Sequence, residues 1–232
     1  MILLDRGDAW AAFFKPSGFH VHPPENTEFR VPRDKIFLYA ARRFMKTHVY
    51  PVHRLDAGTC GVLLMALDPQ TAAFLARQFQ NRDVEKTYHA VVRGWPADAG
   101  RVDLPLELDS TGEPAESLTL YRTLSRLEIP QPVGRRHPTA RYSLLELEPK
   151  TGRFHQIRRH MNRISHPVLG DAMHGDSHHN RFFREKMGVG GLCLKSHALG
   201  FTAPEGPRRL RAPDDDKWSR VREMFRNPLR PE

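Results

Sequence analysis

The amino-acid sequence predicts an α+β fold with a mixed, mainly antiparallel sheet flanked by helices. A charged, turn-forming segment at 51–61 leads into the apolar run 62–67, which suits a strand buried on both faces. A helix pattern and another strand pattern follow directly, and the segments up to residue 148 then read mainly as strands joined by turns. The 232 residues contain no internal repeat and no low-complexity linker, so we expect a single domain spanning 1–232.

Local patterns along the chain predict the individual elements. Asp34 and Asp68 are the expected N-caps of the first two helices, and Pro69 suits a first helical turn. Gly58 and Gly61 are expected to bracket a tight turn, because glycine adopts positive φ without a Cβ clash. Strands are expected at 2–4, 10–14, 62–67, 86–95, 117–124, 142–148 and around 191–194, and helices at 34–46, 69–82, 154–163 and from about 214.

Loops are expected where prolines, glycines and polar residues interrupt these patterns. Residues 23–33 hold three prolines and should be extended, and 131–138 should form an exposed hairpin tip. A loop rich in His and Asp should follow the third helix. The first helix is expected to face the core with its apolar stripe, which is Phe37, Leu38, Ala41, Phe44 and Met45.

The overall charge indicates a polyanionic partner. Lys and Arg exceed Asp and Glu by nine, and the sequence pI is about 9.9. Such an excess favours nucleic acid, although many small proteins are basic without binding one. Six arginines fall within 153–184, which favours a folded basic surface over a basic tail. With no membrane-length apolar run, no secretory signal and two cysteines, we expect a cytoplasmic protein with reduced thiols.

Two short segments carry the side chains best suited to chemistry. In His53-Arg54-Leu55-Asp56, a carboxylate and a guanidinium lie two residues apart on a loop supported by a core strand, which indicates a site. The alternative is a surface turn with an incidental ion pair. The segment 151–160 presents several Arg and His near a helix N-terminus, which favours phosphate or carboxylate ligands. Here the alternative is a basic, solvated helix end, on which Arg153 and Ile157 would share a face.

Together the two segments resemble the signature motifs of the pseudouridine synthases that modify ribosomal and transfer RNA. The matching residues are His53-Arg54-Leu55-Asp56-x-x-Thr59-x-Gly61 and Thr151-Gly152-Arg153-x-His155-Gln156-Ile157-Arg158-x-His160. Three further patterns occur in the family's order, Lys15-Pro16-x-Gly18, Lys86-x-Tyr88 and His166-Pro167-x-x-Gly170-Asp171. The resemblance covers about 10–205, and the tract 170–184 is most similar to a small member without an added RNA-binding domain. It departs from the family pattern at Cys60, where Ser is usual, and at 194–198.

The resemblance implies an isomerase that needs no cofactor. It cleaves the bond between C1′ and the uracil, rotates the base and forms a C1′–C5 bond. Asp56 is implied as the essential carboxylate, acting on the sugar or on the uracil ring, and these routes remain open. By motif match, Arg158 keeps Asp56 ionised. Tyr88 is implied to stack on the base and to act as general base at C5, and Leu147 to pack beneath the ring.

The resemblance also implies that RNA is the partner and that the target nucleotide is flipped out of its stack. We expect the Arg54 side chain to fill the space that the flipped base leaves in the RNA stack. The alternatives are that Arg54 contacts a phosphate or only supports the loop. Transfer RNA is the expected substrate and ribosomal RNA the alternative, and we expect a monomer. The further residues expected to bind substrate RNA are His53, Thr59, Arg153, His155, Gln156, Arg159 and Arg181.

Three other functions are considered. A metal enzyme would draw its ligands from the histidines and Asp176 within 174–179, but their spacing matches no common zinc pattern, so we expect no metal. A non-catalytic RNA-binding module fits the charge equally well, but it would not require the set Asp56, Tyr88 and Arg158. Nucleophilic catalysis by Cys60 is disfavoured because no specific histidine is placed beside it.

Overall fold

The computed structural model describes residues 1–24, 30–133 and 137–226. Within these ranges the strands alternate irregularly with five α-helices. The strands are β1 Ile2–Arg6, β2 Trp10–Lys15, β3 Tyr50–Pro51, β4 Cys60–Ala66, β5 Glu85–Arg93, β6 Ala99–Asp103, β7 Leu106–Glu107, β8 Pro114–Ala115, β9 Leu118–Ile129, β10 Ala140–Pro149, β11 Leu194–Ala203 and β12 Gly206–Arg211. The helices are α1 Phe37–Met45, α2 Pro69–Asn81, α3 Gln156–Arg163, α4 Ser177–Lys186 and α5 Asp216–Arg226.

The chain divides into two compact units. The first unit comprises Met1–Lys86 and Lys195–Pro213, and the second comprises Thr87–Leu194 and Asp214–Glu232. Mixed and antiparallel strand pairing flanked by helices confirms the predicted α+β class. That residues 1–232 form a single catalytic domain stays a prediction.

The first unit is built around β4, in which all seven residues are buried. Strands β2 and β3 pair with it antiparallel, and the start of β11 pairs with it in parallel. β1 extends the sheet beyond β2, and β12 pairs with β11. The continuous apolar composition of β4 follows from this position, because both of its faces are covered. The predicted strand buried on both faces is confirmed.

The helices of the first unit test the predicted caps. The Asp68 carboxylate accepts a hydrogen bond from Thr71 N at 2.8 Å, and Pro69 opens α2, as predicted. The predicted cap at Asp34 is wrong, because α1 begins at Phe37 with Ile36 as its N-cap. Ile36 has an extended conformation because the backbone on both sides of it pairs with His20, which delays the start of the helix. Part of the predicted 23–33 loop lies outside the described residues.

In the second unit, β5, β10, β9 and β6 pair antiparallel in that order, and β7 pairs with β8. Helix α3 packs on this sheet with Ile157 and Met161, which join the buried side chains of Val92 and Leu145 in one apolar cluster. The strands predicted at 86–95 and 142–148 are confirmed. The region 96–140 is more regular than predicted, since β9 is twelve residues long and β6 was not expected. Residues 134–136 of the predicted hairpin tip lie outside the described residues.

The segment after residue 153 required the most corrections. The third helix begins at Gln156, two residues later than predicted, so Arg153 precedes the helix and shares no helical face with Ile157. The predicted loop rich in His and Asp contains α4, whose N-cap is Asp176. The strand predicted around 191–194 begins only at Leu194 and continues to Ala203. The last helix starts close to the predicted position. Over the described ranges, the model contains no helix of the length and apolarity that a membrane span requires.

Candidate functional site

The loop that carries Asp56 is fastened to the turn that follows β2. Lys15 is fully buried, and its ammonium group donates to three backbone carbonyls, one of which is Ala57 O at 3.3 Å. Ser17 Oγ donates to Gly58 O at 2.8 Å, and Gly18 N donates to Ala57 O at the same distance. These contacts reach the backbone directly after Asp56, so the loop is fixed independently of the side chains it presents.

His53 holds the other end of this loop. Its Nε2 accepts a hydrogen bond from Leu64 N at 2.9 Å, and its ring stacks on Phe79 with 4.6 Å between centroids. Burial, with a contribution from the Lys86 ammonium, lowers the pKa of His53 to about 3. A neutral imidazole used as an acceptor offers no charge to phosphate. The contacts give His53 a structural role and lend no support to the predicted RNA contact.

Gly61 and Thr59 are also structural. Gly61 has φ +119°, and a Cβ at this position would collide with the carbonyl oxygen of Ser196 on the neighbouring strand. Gly58 lies in a turn, as predicted, but does not have the predicted positive φ, and Gly61 is needed for the close approach of β11. Thr59 is 2% exposed, and its hydroxyl has no partner among the described residues. Such burial argues against the predicted direct contact with RNA.

Between these supports, the loop presents the two side chains singled out by the sequence. Arg54 is exposed and Asp56 is half-buried. The carbonyl of Asp56 accepts a hydrogen bond from Thr59 N at 3.0 Å, which closes a turn just after the carboxylate. The turn fixes the backbone of Asp56 and therefore the point from which its carboxylate is presented, as a catalytic role requires.

In the second unit, Tyr88 lies near the start of β5. It is half-buried and packs against the apolar cluster of this unit. Leu147 lies directly opposite it on β10 and is fully buried. Leu147 therefore supports the sheet beside Tyr88, and its burial argues against the predicted contact beneath the flipped base. Tyr88 itself keeps part of its surface accessible, as contact with a base requires.

Gln156 is the centre of a buried hydrogen-bond chain. Its Oε1 accepts from Thr151 Oγ1 at 2.6 Å and from Arg153 N at 3.0 Å. Its Nε2 donates to Thr119 Oγ1 at 3.0 Å, and that hydroxyl lies 3.0 Å from His160 Nδ1. Gln156 is 4% exposed and both ends of its amide are engaged, which gives it a structural role and lends no support to the predicted RNA contact.

Arg158 makes a contact that the sequence did not predict. Its Nε and Nη2 donate to Asp171 Oδ2 and Oδ1, each at 2.7 Å. The pair is buried, with 9% and 0% of the two side chains exposed. Asp171 stood in the family pattern without an assigned role, and nothing in its local sequence links it to Arg158. The predicted pairing of Arg158 with Asp56 stays a prediction.

The other residues predicted to bind RNA differ in exposure and in partners. Arg153 Nε donates to Glu116 O at 3.3 Å, and Arg159 Nη1 donates to Glu107 O at 3.0 Å. His155 has φ 51° and its Nδ1 lies 3.1 Å from His174 Nε2. Arg181 is exposed on α4. These four side chains keep at least part of their surface accessible, as contact with RNA requires.

The structure gives the metal and thiol alternatives little support. Within residues 1–24, 30–133 and 137–226 there is no group of three or more His, Cys, Asp or Glu side chains that could hold a metal ion. His179 is engaged with Tyr142, and Asp176 with Arg93. Cys60 is fully buried within β4, where its thiol has no access to a substrate.

One polar cavity of about 490 Å³ lies in the second unit, near the N-terminus of α4. Its lining includes none of Asp56, Tyr88 and Arg158. Its lining residues are Arg93, Asn162, Ser165, Pro167, Gly175, Asp176, Ser177 and His178.

Comparison with known proteins identifies one family over most of the chain. A family model described as RNA pseudouridylate synthase matches residues 10–163. The sequence is 42% identical over 224 residues to tRNA pseudouridine synthase C of Pectobacterium carotovorum subsp. carotovorum, covering 91% of this chain and 58% of that protein. It is 40% identical over 227 residues to tRNA pseudouridine synthase C of Vibrio cholerae, covering 91% of this chain and 90% of that protein. The chain therefore spans little more than half of the first relative but nearly all of the second.

Solved structures show the same fold. Human RNA Pseudouridylate Synthase Domain Containing 4 superposes with a TM-score of 0.74 at 22% identity, covering 97% of this chain and 93% of the human chain. Human RNA Pseudouridylate Synthase Domain Containing 1 superposes with a TM-score of 0.72 at 21% identity, covering 100% of this chain and 96% of the other. At these identities the likeness concerns the fold alone.

Proposed function

Because the chain belongs to the RNA pseudouridylate synthase family, we propose that it isomerises a specific uridine of transfer RNA to pseudouridine. The observation that carries this proposal is the similarity to tRNA pseudouridine synthase C, which extends over 91% of the chain. The loop before β4 supports it, because a non-catalytic RNA-binding module has no need to present a carboxylate from a backbone held this firmly. The cytoplasmic location and the monomeric state expected from the sequence are part of the same proposal.

The reaction sets the chemical tasks of the site. The C1′–N1 bond of uridine breaks and a C1′–C5 bond forms, while the proton at C5 leaves and N1 gains one. No electrons are exchanged with another molecule, so the reaction needs no redox cofactor. The enzyme must activate the sugar or the ring, hold the detached uracil while it turns, and remove the C5 proton.

Three residues are proposed for these tasks. Asp56 is the essential carboxylate, Arg158 is its cationic partner and fixes its orientation, and Tyr88 stacks on the uracil and accepts the C5 proton. The half-buried positions of Asp56 and Tyr88 support the proposal, since both side chains keep some exposure on a fixed backbone.

The remaining proposed contacts concern the RNA around the flipped nucleotide. Extruding a base costs a few kcal/mol of stacking, and exposed Arg54 is proposed to offset that cost by occupying the vacancy. Arg153, His155, Arg159 and Arg181 are proposed to contact phosphates, where cations act by charge and without sequence readout. The RNA contacts expected of His53, Thr59 and Gln156 stay predictions, which the burial and internal hydrogen bonds of these residues do not support.

Chemical mapping of pseudouridine across total RNA, in cells with and without the gene, tests the substrate and the reaction together. We expect one pseudouridine to disappear from transfer RNA when the gene is deleted, and to return when the gene is restored. Loss of a site in ribosomal RNA alone would correct the substrate while keeping the reaction. An unchanged map would contradict the proposed function.

A further inference from the structure

Asp171 fixes both the position and the plane of the Arg158 guanidinium. The two hydrogen bonds, each 2.7 Å long, join Nε and Nη2 to the two carboxylate oxygens. Parallel bonds of this kind remove the rotation that a single contact would leave to a long side chain. Arg158 is also carried on α3, whose neighbouring residues Ile157 and Met161 are buried in the apolar cluster. The Arg158 side chain is thus held at both ends, by α3 at its Cα and by Asp171 at its guanidinium.

The Asp171 carboxylate is itself held by the turn that follows it. Its Oδ1 accepts hydrogen bonds from Met173 N at 2.9 Å and from His174 N at 3.0 Å. Burial raises the pKa of Asp171, but the Arg158 guanidinium and these two N–H groups outweigh burial and keep the pKa below its ordinary value. The carboxylate therefore stays ionised at neutral pH.

Helix α4 holds the backbone of Asp171 in place. Asn180 Oδ1 accepts from Gly170 N at 2.7 Å, and Asn180 Nδ2 donates to Asp171 O at 2.9 Å. Gly170 has φ +74°, and a Cβ there would collide with the carbonyl oxygen of Gly191. The segment 170–180, to which the sequence assigned no role, thus holds Asp171 at two points. Its backbone amides bind the carboxylate, and Asn180 binds the main chain.

We propose that Asp171 is a positioning residue for the reaction, which acts by holding Arg158 in its working orientation before RNA binds. The inference rests on the proposed role of Arg158 and extends it to a residue and a segment that had none. Displacing a catalytic group by about 1 Å lowers a rate by roughly a hundredfold. A guanidinium released from Asp171 would move by at least that much, because its side chain is long and flexible.

The test is a double-variant cycle of Asp171→Asn and Arg158→Met. Its readouts are single-turnover release of tritium from C5-labelled uridine in tRNA, RNA affinity and thermal melting. Asp171→Asn is expected to lower the rate at saturating RNA about 10- to 100-fold, with little change in the RNA concentration for half-saturation. In the Arg158→Met background the same change should cost nothing further, because Asp171 acts only through Arg158.

Asp68→Ala is the control for lost stability. The Asp68 carboxylate also accepts hydrogen bonds from the turn that follows it, from Thr71 N and Thr71 Oγ1, and caps α2 in the first unit. The change should lower the melting temperature, at a cost of about 1 kcal/mol, but leave the rate near that of the unaltered protein. If Asp171→Asn does not melt cooperatively, Asp171→Glu replaces it. That variant keeps the charge but displaces the carboxylate, so it should lower the rate with a smaller loss of stability.

Two results would overturn the positioning role of Asp171 while leaving the proposed role of Arg158 intact. The first is an unchanged rate for Asp171→Asn while Arg158→Met is inactive. The second is an equal loss of rate from Asp171→Asn in both backgrounds, which would mean a general structural role. A full rate for Arg158→Met would instead refute the proposed role of Arg158, and the inference with it.

Discussion

The loop 53–59 in the first unit and the segment 151–176 in the second unit both carry proposed site residues, but different contacts hold them. The loop is held mainly through its backbone, by Lys15 and Ser17 reaching its carbonyls. The segment is held through its own side chains, by Gln156 and by the Arg158–Asp171 pair. In the first region much of the support therefore comes from residues outside the 53–61 motif, whereas in the second region the motif side chains Gln156 and Arg158 supply it themselves.

This difference predicts where substitutions unfold the protein and where they leave the fold intact. In the first region the sensitive positions should be those that determine the backbone. In the second they should be the buried polar side chains. The three predictions below rank these effects by the expected loss of unfolding free energy.

The largest loss is expected for Gly61→Ala. The new Cβ would collide with the carbonyl of Ser196, and the alanine would have to keep the backbone φ of +119° that glycine has here. We expect a destabilisation of about 3 kcal/mol or more, measured by urea unfolding. Gly18→Ala is the matched control, since Gly18 also has positive φ but a Cβ there meets nothing within 4 Å. It should cost about 1 kcal/mol. Equal losses for the two variants would show that contact with Ser196 is unimportant.

The second loss is expected for Gln156→Leu, which removes the acceptor of Thr151 Oγ1 and of Arg153 N and one of the two partners of Thr119 Oγ1. We expect a destabilisation of about 2–3 kcal/mol, with RNA affinity per folded molecule unchanged. Arg159→Ala should do the reverse, changing stability by less than about 0.5 kcal/mol and weakening RNA binding. Urea unfolding and RNA titration measure both. Weaker RNA binding by folded Gln156→Leu would restore the original assignment of Gln156 as an RNA ligand.

The smallest loss of unfolding free energy is expected when the pH is lowered, and it comes from His53 in the first region. The pKa of His53 is lowered to about 3 in the folded protein, so the unfolded chain binds the extra proton more readily. Stability from this residue is complete above pH 6.5 and is lost as pH falls toward 3. Between pH 7 and pH 5 the loss should be about 2 kcal/mol. His53→Gln keeps an acceptor without a titrating group, so its unfolding free energy should fall less over the same range. Parallel pH dependences would contradict the structural role of His53.

The sequence predicts the supports of the first region well, because they depend on local signals. The apolar run of β4 and the Asp68–Pro69 start of α2 are both readable within a few residues. The exceptions involve distant partners. Gly61 is needed because of Ser196, which is 135 residues further along the chain, and Asp34 does not cap α1 because His20 pairs with the intervening backbone.

The second region was harder to predict for the same reason. The family motif indicates Gln156 and Arg158 as important residues but does not distinguish an RNA ligand from a support. That distinction depends on Thr119 and Asp171, which come from other elements. Helix α4 was missed because its polar composition, with two histidines and two arginines, resembles a loop. Its place in the fold depends on Phe183 packing against Tyr142 and on the hydrogen bonds of Asn180 to Gly170 and Asp171.

The central claim is that this chain isomerises uridine with Asp56 as the essential carboxylate. Single-turnover release of tritium from tRNA labelled at C5 of uridine tests it most directly, with Asp56→Asn compared against Asp68→Asn. Asp68 caps α2 in the same unit, so its change removes a carboxylate but should leave the rate near normal. The account predicts that Asp56→Asn binds the RNA but releases tritium at least about a thousandfold more slowly. Release by Asp56→Asn at the rate of the unaltered protein would contradict it.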